Sequence, residues 1–365
     1  MPSCARREIV DENEVGTYHV YGRCVRRAWL CGVDSVTGKN YEYRRDWIRE
    51  TEADFAALFA IEIGFHTEMA NHLHMVIRNR PDIVATWSDE EVVRRMLTID
   101  KRTHSLTGEI ETPEPNEIRI RMREPKTVAK YRARLASPSW FMKSVRENVA
   151  RRANKEDAVS GAFWDGRFRC RRLLDETAII ICGIYIDLNQ IRAGETLTPE
   201  ASAHTSAYDR IQARQGRSVA QAADAVEVFE QVSPDGWMAE LTLDERAAAS
   251  ASSTCKSQTG RRASDKGLIP LSLNRYLELL DWTGRAIRTD KAGAIPADLA
   301  PILERLRIRS ESWVELVENF DQWFGRVAGH IDRVIAFAAK IGRRLFRGEN
   351  PLAEAFLSGT PGIQT

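Results

Sequence analysis

MANHLHMVIR, residues 69–78, is the stretch whose reading decides the fold class. Two histidines flank one leucine and run directly into an apolar string, which reads as a β-strand. Side chains two apart on a strand share a face, so His72 and His74 present their imidazoles side by side while Leu73 points to a core. Working outward, YHVYGRCV (18–25) and FAIEIGFH (59–66) read as further short strands. They alternate with helical patterns at 46–58 and 139–152, which predicts an α+β sandwich, a sheet covered by helices.

With 365 residues and 43% apolar content, the chain has enough material for two domains with real cores. Lys plus Arg number 53 against 52 Asp plus Glu, so the balance of +1 excludes a polyanion-coating protein and makes any nucleic-acid surface a local one. One such stretch exists: Arg119 to Arg152 holds eleven basic residues against Glu124 and Glu147. It reads either as a phosphate-contacting surface or as a solvated helical face. Cysteines at 4, 24, 31, 170, 182 and 255 form no CxxC pair, which argues against a zinc ribbon and a disulfide scaffold and for reduced thiols. Neither a secretory leader nor an apolar run of membrane-spanning length is visible, so the expectation is a soluble cytoplasmic protein without a membrane partner.

Residues 222–245 are acidic, and RAAASASSTCKSQTGRRASD at 246–265 is small and polar with little to bury. That pattern predicts three parts: a first domain at 1–200, a variable connection and flexible linker at 201–266, and a helical accessory domain at 267–365. The last part carries Trp282, Trp313, Phe320, Trp323, Phe324, Ile331, Ile335 and Phe337 at mostly helical spacing, read as the core of a small all-α domain.

A second chemistry-bearing string is LLDETAIIICGIYIDLNQIRAG at 173–194. Asp175 suits a helix N-cap, Glu176 the positive dipole end and Gly194 the C-terminal stop. Ile180, Ile184, Leu188 and Ile191 form a buried stripe. Tyr185 and Asn189 are four apart and Arg192 lies one further turn along, so a hydroxyl, an amide and a guanidinium point one way. Taken alone, the tyrosine also fits a boundary residue with a packed ring, Asn189 a solvated amide, and the histidine pair two polar residues of a strand face. A metal site at that pair needs a third ligand.

YHVYGRCVRRAWL, MANHLHMVIR, FWDGRFRCRRLLDE and YIDLNQIRAG, in this order and spacing, together resemble the HUH single-tyrosine transposases, in particular the REP-associated tyrosine transposases. The resemblance spans residues 15–200 and implies the HUH nuclease fold, a ferredoxin-like antiparallel sheet with helices. Carried over position by position, it makes His72 and His74 metal ligands, Tyr185 the nucleophile and Asn189 the third protein ligand. Gln190 stands where relatives usually have proline, and Ala70 where serine is common. Neither departure removes a reacting group.

The resemblance implies a DNA-strand transferase. Tyr185 attacks a phosphodiester to give a 5′-phosphotyrosine and a free 3′-hydroxyl, and a second 3′-hydroxyl reverses the step. The implied cofactor is Mg²⁺ or Mn²⁺, and the implied partner is single-stranded DNA carrying a hairpin; a homodimer is compatible with it. Arg167 and Arg169, alternating with Phe168, would face one way in an extended chain and can clamp phosphates, or else are surface charge. Arg23, Arg26 and Arg27 follow the same logic, and Arg192 joins the DNA-binding set. Two readings compete: a catalytically lapsed DNA-binding protein on the same fold, and a zinc hydrolase in which water attacks. His19, His66, His104, His204 and His330 are left outside the site, His19 as a satisfied strand histidine.

Overall fold

The computed structural model describes residues 8–25, 30–34, 37–223, 225–242, 257, 259–288, 303–304 and 306–342. Its strands are β1 (Gly16–Arg23), β2 (Ile61–Glu68), β3 (His72–Asn79), β4 (Arg169–Leu173) and β5 (Val327–Ala328). They form one sheet in the order β2-β3-β1-β4-β5. The first four pair antiparallel, with α1 (Arg44–Leu58) between β1 and β2, and α2 (Asp89–His104) and α3 (Pro138–Glu156) between β3 and β4. That order and connectivity are those of a ferredoxin-like sheet.

Alternation along the strands sorts side chains between two cores. Leu73, Met75 and Ile77 of β3 join Phe55 and Phe59 near the end of α1 and Phe141, Val145 and Val149 of α3 on one face. Phe65 and Val76 belong to the other, packed against α4 (Glu176–Asp187). The start of α4 follows the sequence expectation, since the Asp175 side chain accepts the Ala178 N–H at 2.8 Å. Its end differs from the continuous helix expected to Gly194. Helicity is interrupted at Leu188, and α5 (Asn189–Arg192) completes the run before Gly194 turns at φ +73°. The break adjoins Asp187, whose buried carboxylate is engaged by Ser206, the Ala207 N–H and Tyr276.

Every side chain from Thr177 to Asp187 is buried, where the sequence indicated one apolar stripe. The reason lies in the C-terminal residues. Tyr276, Leu280, Trp313, Leu316 and Phe320 share the core of α4, and β5 adds to the sheet parallel to β4, with Arg172 opposite Val327 and Leu173 opposite Ala328. The expectation of a separate all-α domain at 267–365 is therefore corrected: the described part contains a strand and completes a core begun by the first domain. Trp313, Phe320, Phe324 and Phe337 are buried as expected, but Ile335 is 55% exposed.

The connection is also tied down where it is described. Ser264 bonds Arg80 and Glu62, and Arg78 donates to the carbonyls of Lys266 and Gly267. Most of the linker expected at 246–265, together with Cys4, Cys255, Arg26 and Arg27, lies outside the described residues. Cys24, Cys31, Cys170 and Cys182 are buried. Among the described residues, no helix is long and apolar enough to cross a membrane.

Close approach of α4 to β2 depends on Gly183, where a Cβ would sit 2.6 Å from the Phe65 ring. Gly183→Val should lower the unfolding free energy by about 2 kcal/mol through overpacking. A urea midpoint unchanged from the parent would show that the ring has room to move.

Candidate functional site

Register fixes the site face. Antiparallel pairing sets His19 opposite Val76 and Arg171, Tyr21 opposite His74 and Arg169, and Arg23 opposite His72. Directly paired residues point to the same side, so these side chains line one surface, the one covered by α4. Tyr185 reaches it from the helix. Its ring centroid lies 5.9 Å from that of His74 and 6.2 Å from that of His19, both edge-on. His72 and His74 are 4.9 Å apart by the same measure.

The phenol is 6% exposed and its hydroxyl donates to Asp321 Oδ2 at 2.7 Å. Burial and then the adjacent Asp321 carboxylate push the Tyr185 pKa well up, against the opposing charge of Arg192. The Arg192 guanidinium lies 4.9 Å from the centre of the tyrosine ring and donates to the Glu318 carbonyl. Burial raises the Asp321 pKa, but the Arg171 guanidinium and the tyrosine hydrogen bond help to offset it and hold the carboxyl below its usual range. Arg171 bridges Asp321 Oδ1, at 3.0 Å, to the imidazole of His19.

His19, set aside on sequence grounds, is thus part of the cluster: its Nε2 lies 2.8 Å from His74 Nδ1. An arginine N–H can only donate, so the 3.4 Å contact from Arg171 faces the lone pair of His19 Nδ1. The His19 proton then sits on Nε2 and is donated to His74 Nδ1, which leaves the His74 proton on its own Nε2. At the other histidine, Asn71 Oδ1 accepts from His72 Nδ1 at 2.5 Å, leaving the Nε2 lone pair of His72 available. All three imidazoles are held neutral. Burial and then Arg171 take His19 down to about 3, burial and then Arg23 take His72 to about 4, and burial followed by His19 and His72 takes His74 well below its usual value.

Neutral imidazole is the metal-ligating form. Asn189 is buried and its Nδ2 has no hydrogen-bond partner, an orphaned donor that an acceptor such as a phosphate oxygen would satisfy, while Oδ1 is the amide atom suited to a cation. His72 therefore offers a cation its Nε2 lone pair, whereas His74 can ligate only after losing the proton on its Nε2. Among the described residues, the group of three His, Cys, Asp or Glu side chains able to share an ion is a different one, Glu52, His66 and Glu68.

The expected DNA-contacting arginines lie in varied settings. Arg23 ends β1 exposed, opposite His72; Arg167 is exposed in the turn before β4; Arg169 is exposed with its guanidinium 5.8 Å from the Tyr21 ring. In the basic stretch, Arg132 is tied to Asp89, Arg134 and Lys143 sit over Trp140, and Arg151 pairs with Glu147, so part of that charge has protein partners. His104 is exposed, His204 lies 3.7 Å from Asp46, and His330 contacts Thr177, all away from the tyrosine.

No protein-family model and no curated protein matches this chain. Among solved structures, the REP-associated tyrosine transposase bound to a REP hairpin is similar over 56% of this chain and 82% of that one, at 11% identity and a TM-score of 0.32. So distant a likeness bears no functional argument, and the chemistry must be argued from the residues themselves.

A histidine kept neutral in the fold refuses protons that the unfolded chain takes up below about pH 6.5. Stability is therefore intact above that pH and falls as acid is added toward pH 4. His72→Gln should flatten the fall in unfolding free energy between pH 6 and 4.5 by up to about 1.4 kcal/mol per pH unit. Urea titrations across that range measure it, and parallel slopes for variant and parent would mean that the imidazole protonates freely in the fold.

Proposed function

We propose that this protein is a DNA-strand transferase in which Tyr185 cleaves and rejoins single-stranded, hairpin-bearing DNA through a 5′-phosphotyrosine. The observation that carries the reading is the approach of the Tyr185 ring to within 5.9 Å of His74, itself 4.9 Å from His72, on a face whose imidazoles are neutral. A tyrosine, two neutral histidines of which His72 has a free lone pair, and an unsatisfied amide form a set that phosphoryl chemistry can use and a packed core does not need.

The Tyr185 oxygen attacks phosphorus, the P–O3′ bond breaks, and the 3′-oxygen leaves as a hydroxyl after taking a proton from water. Because burial raises the phenol's pKa, its proton must pass to an acceptor as the P–O bond forms, and Asp321, already hydrogen-bonded at 2.7 Å, is in position to take it. Arg192 and Arg169 supply positive charge near the phosphate path, and Arg23 and Arg167 extend it. His72, His74 and Asn189 would hold Mg²⁺ or Mn²⁺, which when bound supplies Lewis acidity to the scissile phosphate. The stored phosphotyrosine bond allows rejoining to another 3′-hydroxyl without an external energy source.

The 6% exposure of Tyr185, with the Phe320 ring centroid 5.3 Å away, favours one second reading, a DNA-binding protein whose chemistry has lapsed. The two separate cleanly. Purified protein incubated with single-stranded hairpin oligonucleotides and Mn²⁺ should give a covalent protein–DNA band on a denaturing gel, absent in Tyr185→Phe. Asp321→Asn should slow adduct formation at neutral pH by roughly 10²-fold. His72→Ala with His74→Ala should abolish cleavage while retaining most DNA affinity, which comes from phosphate contacts. Retention of DNA with no adduct on any hairpin substrate would overturn the transferase and leave the second reading.

A further inference from the structure

Beyond the register shift that lies between Ile63 and Phe65, Thr67 pairs with His74. Its neighbours His66 and Glu68 therefore point to the opposite face, away from Tyr185. There they meet Glu52 of α1. All three side chains are fully buried, and one ligand atom from each lies within 4.8 Å of the other two. The His66 ring is gripped on both edges: Nδ1 is 3.0 Å from Glu68 Oε1, and Nε2 is 3.3 Å from Asp209 Oδ2, which Arg49 holds at 2.7 Å.

What the neighbourhood lacks is a donor. Both oxygens of Glu52 and Oε2 of Glu68 are buried with no N–H or O–H directed at them. Burying an ionised carboxylate without a donor is among the costliest arrangements a fold can contain. Two such carboxylates facing one another must share a proton or a cation. The His66 imidazole offers a transition ion the nitrogen ligand that two carboxylates alone do not. Asp209 adds an accompanying feature, a carboxylate 3.3 Å from the far ring nitrogen, on the side of the ring away from Glu68.

We propose that Glu52, His66 and Glu68 form a buried divalent-metal site, separate from the tyrosine centre, that pins α1 to β2. One nitrogen and two carboxylate oxygens suit a first-row ion of the Zn²⁺ or Mn²⁺ kind. A dication displaces the proton that the neighbouring carboxylates hold on His66, and with two carboxylates and the resulting neutral imidazole the buried group is uncharged. The inference does not depend on the role given to Tyr185.

The test uses the full-length protein carrying His72→Ala and His74→Ala, so that the other candidate site cannot contribute. After stripping with chelator and reloading with Zn²⁺ or with Mn²⁺, elemental analysis should find one equivalent bound, and Tm should rise by roughly 4 °C or more. Glu52→Gln and Glu68→Gln in the same background should each lose the bound equivalent and the shift. Should a Gln variant fail to fold, stripping and reloading the His72→Ala, His74→Ala background still decides. No retained metal and an unchanged Tm with both ions would overturn the site in favour of a shared proton, and so would full metal binding by folded Glu52→Gln.

Discussion

A guanidinium buried on the face of a sheet demands partners, and for Arg171 nearly all of them come from one distant segment. It is 4% exposed and donates to Asp321, Phe324 and Gly325, besides touching His19. A buried arginine stripped of these would be an uncompensated charge, a defect of several kcal/mol. This single requirement binds the C-terminal residues to the sheet, places Asp321 against the tyrosine hydroxyl and orders the protons along the histidines. The site's electrostatics and the architecture thus share a cause. Asp321 answers the positive charge of Arg171, and the same carboxylate raises the pKa of Tyr185.

Local signals were legible in the sequence. The three strands read from the sequence lie within two residues of their expected positions, the Asp175 cap and the Gly194 stop are where residue chemistry puts them, and the histidine pair stands on one strand face because period two leaves no alternative. What was hidden depended on register and on partners far along the chain. His19 looks like any strand histidine until β1 is paired with β3 one way and no other, after which it must meet His74. Nothing around Asp321 marks it, since its role arises from Arg171, 150 positions away. The helical spacing of the C-terminal aromatics was read correctly but assigned to the wrong body, because periodicity identifies a buried face and not the element that buries it.

The two faces of the sheet hold their polar groups by opposite means. On the tyrosine side, burial keeps imidazoles neutral, and a guanidinium and a carboxylate compensate one another. On the α1 side, burial and the carboxylates Glu68 and Asp209 act on His66, and the carboxylates prevail, taking its pKa up to about 10. Identical side chains one strand apart therefore carry different protonation, set by which acids and bases the register brings beside them.

The parallel pairing of β5 with β4 has a temporal consequence. Residues 321–328 leave the ribosome long after the four antiparallel strands have emerged, and synthesis is slow compared with the folding of a small sheet. During that interval the nascent chain presents Tyr185 uncapped and Arg171 in water, with the apolar flank of α4 open to whatever surrounds it. Final closure waits on contacts of high sequence separation, the slowest kind to form. The tyrosine thus acquires its acidic neighbour and its aromatic cover together, as the last act of assembly.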